Sequence, residues 1–158
     1  MYLLLLPVAL IVLLDEWIKF EALRRLPAEA SIAAPYWIEF AIHKNFGLAF
    51  DIPFRMGFVV FATIVIGGFL LRIAIKNFKA HPEITFASSL ILLGALGNLF
   101  DRIVYGFTVD YMIFFSRSAI NFSDATIILG VLTLLLVSAR KKNVDKISKN
   151  ATMSSELK

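Results

Sequence analysis

Long apolar segments alternate with short polar ones along the chain, and this pattern predicts four membrane-spanning helices. We expect them at about 2–22, 56–75, 84–102 and 122–139, since each segment is long and apolar enough for an α-helix to cross the hydrocarbon of a bilayer. Residues 1–139 are therefore predicted to form a single integral membrane domain. The polar segment 140–158 is predicted to be a cytoplasmic tail.

The segment 24–55 has a different pattern from the spans. Three prolines interrupt it, and apolar and polar side chains alternate from 38 to 43, which is typical of a short strand. Asn45 and Gly47 then supply residue types that favour a turn. The predicted fold class is an all-α membrane protein with four transmembrane helices and a small extracytoplasmic β-like cradle. We expect the segment 103–120 to be an apolar loop at the membrane interface.

The first apolar segment has a second interpretation, as the core of a secretory signal peptide. Residues 28–30 (Ala-Glu-Ala) resemble a small-residue cleavage site. However, no cation precedes the apolar run, and the charged segment 15–25 separates the run from that site. These features favour a retained helix with a polar outer end.

Composition supports a membrane protein and narrows the chemistry. Of the 158 residues, 59% are hydrophobic and 18% are charged, a balance that is not typical of soluble domains. The chain has no cysteine, which excludes a disulfide framework, a thiolate nucleophile and a cysteine metal site. The two histidines, His43 and His81, are predicted to lie on opposite sides of the membrane, so a histidine metal site is excluded as well.

The distribution of cations predicts the orientation. Six of the 16 lysines and arginines lie in the last 20 residues, and two more lie in the connection 76–83. By the positive-inside rule, both termini and that connection lie in the cytoplasm, and the net charge of +4 reflects topology rather than nucleic-acid binding. The cradle and the segment 103–120 then face outward. Polar side chains collect on this outer side: Asp15, Lys19, Asn45, Asp101, Asp110, Asn121 and Asp124.

Two of these residues, Asp110 and Asp124, could form a catalytic pair. Asp110 has apolar neighbours and no cation close in sequence, so burial would raise its pKa. Two carboxyl groups that share a proton supply an acid and a base, which together can activate water against an amide. The simpler interpretation of Asp124 is structural, since Asn121 and Asp124 have the spacing of a capping box at the start of the fourth span.

Two other groups of polar residues have the spacing of helical neighbours. Asn98, Asp101 and Arg102 share one face of the third span, and we expect Asp101 and Arg102 to form a charge pair. Asp15 and Lys19 stand four residues apart, which predicts a second pair on the first span. Gly94 and Gly97 precede the first group at a spacing suited to close helix packing.

These residues form five blocks that together resemble the lipoprotein signal peptidase family, also called signal peptidase II. The blocks are D-x-x-x-K at Asp15 and Lys19, N-x-G-x-A-F from Asn45 to Phe50, G-A-x-G-N-x-x-D-R from Gly94 to Arg102, Gly106 with Val109 and Asp110, and Asn121 with Phe122 and Asp124. The resemblance extends to about residue 139. The chain departs from it where Ser123 replaces the usual alanine and where Ile120 stands in place of a common phenylalanine. The loop between Asp110 and Asp124 is also short for the family and lacks its frequent proline.

The resemblance implies a bacterial inner-membrane aspartic endopeptidase that removes the signal peptide of a prolipoprotein before a diacylglyceryl-modified cysteine. It implies Asp110 and Asp124 as the catalytic pair, at the outer face of the membrane. The implied supporting residues are Asp15, Lys19, Asn45, Gly47, Asn98, Asp101, Arg102 and Asn121. The expected partners are this substrate, membrane lipid and inhibitory peptide antibiotics. We expect a monomer that needs no cofactor, metal or nucleic acid.

Two functions of other classes stay open from the residues alone. Intramembrane Asp, Lys and Asn residues also mark small ion- or proton-coupled carriers. A carrier predicts polar groups through the depth of the bilayer, whereas 57–71 and 127–137 hold no charge. A non-catalytic scaffold, in which the acids only cap helices, predicts that Asp110 and Asp124 can each become Asn with little loss of function.

Overall fold

A computed structural model of the protein describes residues 2–28, 37–47, 55–115 and 118–156. It contains four helices and one three-stranded sheet. The helices are α1 (Tyr2–Arg25), α2 (Met56–Asn77), α3 (Pro82–Val104) and α4 (Phe122–Glu156), and the strands are β1 (Ile38–Asn45), β2 (Thr108–Phe114) and β3 (Ser118–Ile120).

Within the described residues, three helical segments are long and apolar enough to cross a membrane: Met56–Asn77, Pro82–Val104 and Phe122–Arg140. Their outward side chains are largely exposed and apolar, as is typical of surfaces that contact lipid. The first predicted span is helical in α1, but charged residues at 15, 16 and 19 reduce its apolar length. A membrane crossing by α1 therefore stays a prediction. Helix α4 continues to Glu156, well beyond the predicted end of the fourth span.

The strands form an antiparallel sheet in the order β1-β2-β3. Strand β1 confirms the strand-like pattern of the cradle, although parts of 24–55 lie outside the described residues. The expectation of a loop at 103–120 was wrong, because β2 and β3 occupy most of it. Five of the seven residues of β2 are buried, so neither face of the strand is exposed to solvent. The strand therefore lacks the apolar-polar alternation that would identify it in the sequence.

Close contact between helices positions the start of α4 beside α3. A methyl group added at Gly94 would lie 2.5 Å from the carbonyl oxygen of Ser123, and one at Gly97 would overlap the Ser123 hydroxyl. The predicted role of these two glycines is therefore confirmed. A small core of Ala22, Ile42, Val109 and Tyr111 joins α1 to β1 and β2. Together these contacts bring β2 and the first turn of α4 to the same end of the helices.

Candidate active site

Asp110 lies in the middle of β2 and is almost fully buried, with 1% of its surface exposed. Its two carboxylate oxygens accept hydrogen bonds from side-chain amides, Oδ1 from Asn121 Nδ2 at 2.7 Å and Oδ2 from Asn45 Nδ2 at 3.2 Å. Burial raises the pKa of Asp110 to about 7, and the negative charge of Asp124 adds to the rise. The carboxyl can therefore hold a proton near neutral pH.

Asp124 lies in the first turn of α4 and closes a capping box with Asn121. The backbone N–H of Asp124 donates to Asn121 Oδ1 at 2.8 Å, and the backbone N–H of Asn121 donates to Asp124 Oδ2 at 3.4 Å. The predicted cap is thus confirmed. It also fixes the direction of the carboxylate, whose other oxygen accepts a hydrogen bond from Asn98 Nδ2 at 2.7 Å. A capping role and a role in a polar site are therefore compatible in this residue.

Two asparagines connect the carboxylates. Asn121 Nδ2, which donates to Asp110, also donates to Asn98 Oδ1 at 3.2 Å, and Asn98 in turn donates to Asp124. The structure therefore brings Asp110 and Asp124 to one network through a pair of neutral amides. Neutral donors orient a carboxylate and stabilise its charge less than a cation does. The two carboxyl groups are also close enough that the negative charge of Asp124 raises the pKa of Asp110.

Arg102 does not pair with Asp101, so this sequence prediction was wrong. Its guanidinium donates to two backbone carbonyls, Nη1 to Asn98 at 3.1 Å and Nη2 to Gly47 at 3.0 Å. Consecutive residues on a helix point about 100° apart, which separates the Asp101 and Arg102 side chains. Gly47 lies in a turn in which its N–H donates to Asn45 Oδ1 at 3.0 Å. Arg102 therefore ties the end of α3 to the turn that carries Asn45.

The partner of Asp101 is Lys19, which is fully buried. Lys19 Nζ lies 2.9 Å from Asp101, 3.0 Å from Asp15 and 3.0 Å from Glu16. The predicted Asp15–Lys19 pair is confirmed. Glu16 was not predicted as part of the site, although its position three residues before Lys19 on a helix was a usable signal.

This Lys19 cluster, formed by Lys19, Asp15, Glu16 and Asp101, holds the backbone next to both members of the pair. Asp15 accepts hydrogen bonds from the backbone N–H groups of Phe122 at 3.1 Å and Ser123 at 3.0 Å, and from the Ser123 hydroxyl at 2.6 Å. Asp101 accepts one from the N–H of Val109 at 3.1 Å. Ser123 precedes Asp124, and Val109 precedes Asp110. Sequence analysis noted Ser123 only as a departure from a motif.

A cavity of about 270 Å³ opens beside the network. Its polar wall includes Asn45, Asn98, Arg102 and Asp124, and its apolar wall consists of side chains from α2, α3 and α4, among them Val59, Ala95, Ile127 and Ile128. Asp110 does not line the cavity, but Asn45, whose amide donates to Asp110, does. A peptide bond at the polar end with apolar side chains along the helices would fit such a cavity.

All ten residues singled out from the sequence lie in the described part of the chain, and contacts join them into the two networks above. Within that part, no group of three or more His, Cys, Asp or Glu side chains is arranged to hold a metal ion. The arrangement therefore offers carboxyl groups, amides and one guanidinium to a bound molecule.

Comparisons with known proteins identify similar chains. The sequence model of a family described as "Signal peptidase (SPase) II" matches residues 7–140. The lipoprotein signal peptidase of Halothermothrix orenii is 32% identical over 142 residues, which cover 87% of this chain and 95% of that protein. The lipoprotein signal peptidase of Mesorhizobium japonicum is 35% identical over 135 residues, which cover 78% of this chain and 80% of that protein.

Two solved structures, each described as a bacterial membrane enzyme, have the same fold. One superposes with a TM-score of 0.80 at 24% identity and covers 90% of each chain. The other superposes with a TM-score of 0.74 at 25% identity and covers 87% of this chain and 92% of the solved one. The helical fold with its small sheet is thus shared with membrane enzymes.

Proposed function

The chain belongs to the signal peptidase II family, and from this premise we propose that it is a membrane aspartic endopeptidase that cleaves bacterial prolipoproteins. Membership supports a protease, and the name of the relatives supplies the substrate class. The finer proposal is that cleavage removes the signal peptide just before a cysteine that carries diacylglycerol. Asp110 and Asp124 activate the attacking water, and no cofactor or metal takes part.

The observation that carries the proposal is the amide bridge between the two carboxyl groups. Asn121 donates to Asp110 and to Asn98, and Asn98 donates to Asp124, with the two amide–carboxylate contacts at 2.7 Å. A pair that shares one proton has one member free to take a proton from water while the other donates to the scissile carbonyl. The roles exchange when the tetrahedral intermediate collapses. The proton belongs to the pair as a whole in the free enzyme.

Substrate access follows from the position of the pair relative to the cavity. Asp124 lines the cavity directly, whereas Asp110 does not and instead accepts a hydrogen bond from Asn45, which does. We place the attacking water beside Asp124. The Asn45 amide then turns aside to let the substrate carbonyl reach Asp110. Arg102, which binds the carbonyl of Gly47, holds the turn that carries Asn45 at the mouth of the site.

The proposed setting is the bacterial cytoplasmic membrane, with both termini inside and the active site at the outer face. In this arrangement α1 is a fourth span, residues 1–139 are the peptidase domain and 140–158 are a cytoplasmic tail. The lipidated substrate enters sideways from the bilayer, past the apolar wall of α2 and α4. We propose a monomer that peptide antibiotics inhibit by occupying the same cavity.

The test is cleavage of a diacylglyceryl-modified prolipoprotein by the purified protein in lipid or detergent. Asp110→Asn and Asp124→Asn should each lower kcat by about a thousandfold or more, as the loss of one member of a catalytic unit does. Glu83→Gln makes the same chemical change on an exposed side chain far from the pair in sequence and should leave the rate unchanged. Thermal unfolding of each variant checks the fold.

Near-wild-type cleavage by either folded Asn variant would assign that aspartate to helix capping and would contradict the mechanism. A folded wild-type protein that fails to cleave modified substrate would restore the carrier and scaffold interpretations. Cleavage of unmodified prolipoprotein at the same rate would retain the protease and remove the proposed requirement for diacylglycerol.

A further inference from the structure

A second cavity lies on the side of α1 that faces the sheet. It has a volume of about 440 Å³ and lies between the end of α1, the strands β1 and β2, and the start of α4. Its lining includes two charged residues, Glu21 and Arg25, and is otherwise mostly apolar: Trp17, Ala22, Phe40, Tyr111, Met112 and Phe122 form most of the wall. We call this cavity the α1 groove. It shares no lining residue with the candidate active site.

The walls of the α1 groove expose large apolar side chains. Trp17 is 61% exposed and Phe40 is 60% exposed. The one hydroxyl group in the wall, that of Tyr111, donates to Asp15 at 2.6 Å and is therefore already engaged. Exposed apolar surface of this kind is costly in water and marks contact with a membrane or a partner. The occupant of the groove is therefore apolar along most of its length.

Two arginines stand at the end of α1, beside the groove. Arg24 and Arg25 are 64% and 77% exposed, and both lie near the carboxylate of Glu21, at 3.6 and 2.7 Å. Among these three side chains, two guanidinium groups and one carboxylate give a net charge of one positive unit. Guanidinium groups also match the geometry of phosphate oxygens.

An anionic phospholipid combines the two properties that the groove requires, an apolar chain and a negatively charged phosphate head. A peptide strand is less suitable as the occupant, because β1 and β2 pair with each other where Phe40 faces Met112 and offer side chains rather than free backbone. The apolar part of α1 precedes the groove, and Arg24 and Arg25 end the helix. In the proposed orientation this end lies at the level of the lipid headgroups.

We infer that the α1 groove binds an anionic phospholipid, with an acyl chain against Trp17 and Phe40 and the phosphate beside Arg24 and Arg25. The inference rests on the proposed membrane orientation and not on the proposed catalysis. One net cation near a bilayer surface is expected to enrich anionic lipid about fivefold, from about 1 kcal/mol per cation.

Tryptophan fluorescence provides the test, because Trp17 lines the groove and the chain has only one other tryptophan, Trp37. The Trp37→Phe protein is reconstituted in neutral vesicles that contain a small fraction of brominated phosphatidylglycerol or brominated phosphatidylcholine. Bromine quenches tryptophan on contact. Quenching of Trp17 by the anionic lipid should exceed quenching by the neutral lipid, with an apparent enrichment of about fivefold.

The preference should disappear when Arg24→Gln and Arg25→Gln are combined in the Trp37→Phe protein. Lys44→Gln is the matched control, since Lys44 is an exposed cation on β1 that lies over the Phe107 ring and outside the groove. High salt provides a test without a further substitution, because it should screen the preference in the Trp37→Phe protein itself.

Equal quenching by the two lipids would overturn the inference. So would a preference that survives the double arginine variant, or one that Lys44→Gln removes to the same extent. Because the readout is spectroscopic, a protein that binds the lipid yet cleaves no prolipoprotein would support this inference while contradicting the proposed function.

Discussion

Two groups of carboxylates lie at the same end of the helices, and the protein holds them in opposite ways. Three carboxylates surround the buried Lys19 at 2.9–3.0 Å. Asp110 and Asp124 instead accept hydrogen bonds from asparagine amides. The buried cation draws three carboxylates to one point, and its removal would leave their negative charge buried without a partner. Neutral amides fix only orientation, and the pair keeps the capacity to carry a proton.

The proposed mechanism gives the two groups of carboxylates different roles in the same site. The Lys19 cluster binds the backbone N–H groups of Val109 and Ser123, each of which directly precedes an aspartate of the pair. It therefore positions the pair without touching the carboxyl groups themselves. In the proposed mechanism, the Lys19 cluster positions the pair, and the pair carries out the proton chemistry.

Removal of the Lys19 cation should have the largest effect on stability and on cleavage. Lys19→Met keeps an unbranched side chain that is one atom shorter and leaves three carboxylates around an apolar group. Loss of one partner of a buried ion pair costs about 3–5 kcal/mol of unfolding free energy. We expect a large fall in the thermal unfolding midpoint and loss of cleavage.

Lys79→Met is the matched control for that experiment, because Lys79 is exposed in the turn between α2 and α3. An exposed substitution of this kind should change the unfolding free energy by less than about 0.5 kcal/mol. If Lys19→Met were as stable and as active as Lys79→Met, the cluster would not be the element that positions the pair.

The pH dependence of cleavage tests whether the pair formed by Asp110 and Asp124 holds a proton. Burial and the charge of Asp124 raise the pKa of Asp110 to about 7, so its protonated form is lost as the pH rises through that value. Since kcat/KM reports the free enzyme, it should fall on the alkaline side with a midpoint near 7. Measurement of kcat/KM across neutral pH checks this. A profile of kcat/KM that is flat from pH 6 to about 9 would contradict the proposal that the pair shares a proton.

Asn45→Ala sharpens the same measurement. The hydrogen bond from Asn45 lowers the pKa of Asp110, so its removal should move the alkaline midpoint to higher pH. The substitution also shortens a side chain that both lines the cavity and contacts Asp110. A midpoint that moves to lower pH would mean that entry of water outweighs the lost hydrogen bond.

The sequence predicted those parts of the site that depend on local spacing. Asp15 and Lys19 pair because they stand one helical turn apart, and Asn121 and Asp124 form a capping box because a helix starts between them. The same holds for the close approach at Gly94 and Gly97. Such contacts need only the geometry of one helix or one small residue at a helix crossing.

Contacts between distant segments could not be obtained in this way. The bond from Asp101 to Val109 depends on β2, which is buried on both faces and has no alternating pattern to reveal it. The preference of Asp101 for Lys19 over its neighbour Arg102 depends on how α1 packs against α3. Charge pairing inferred from proximity in sequence failed here because adjacent helical side chains diverge.

Ser123→Ala should have the smallest effect, and it tests how far the cluster depends on each of its hydrogen bonds. The Ser123 hydroxyl donates to Asp15 at 2.6 Å, but Asp15 keeps the backbone donors of Phe122 and Ser123 and its contact with Lys19. We expect a loss of about 1.5 kcal/mol of unfolding free energy, the lower end for a hydrogen bond to a charged group. Cleavage should stay within about threefold of wild type, because the lost hydrogen bond affects the rate only through the position of Asp124.

Ser88→Ala is the matched control for this last prediction. Ser88 is equally buried, on α3, and its hydroxyl has no hydrogen-bond partner within the described part of the chain. Its removal should be neutral or slightly stabilising, because a buried hydroxyl without a partner contributes only a desolvation cost. Thermal unfolding of the two variants side by side isolates the bond to Asp15. An equal loss of unfolding free energy in both variants would assign the effect to packing volume. Asp15 would then position Asp124 through the backbone donors of α4.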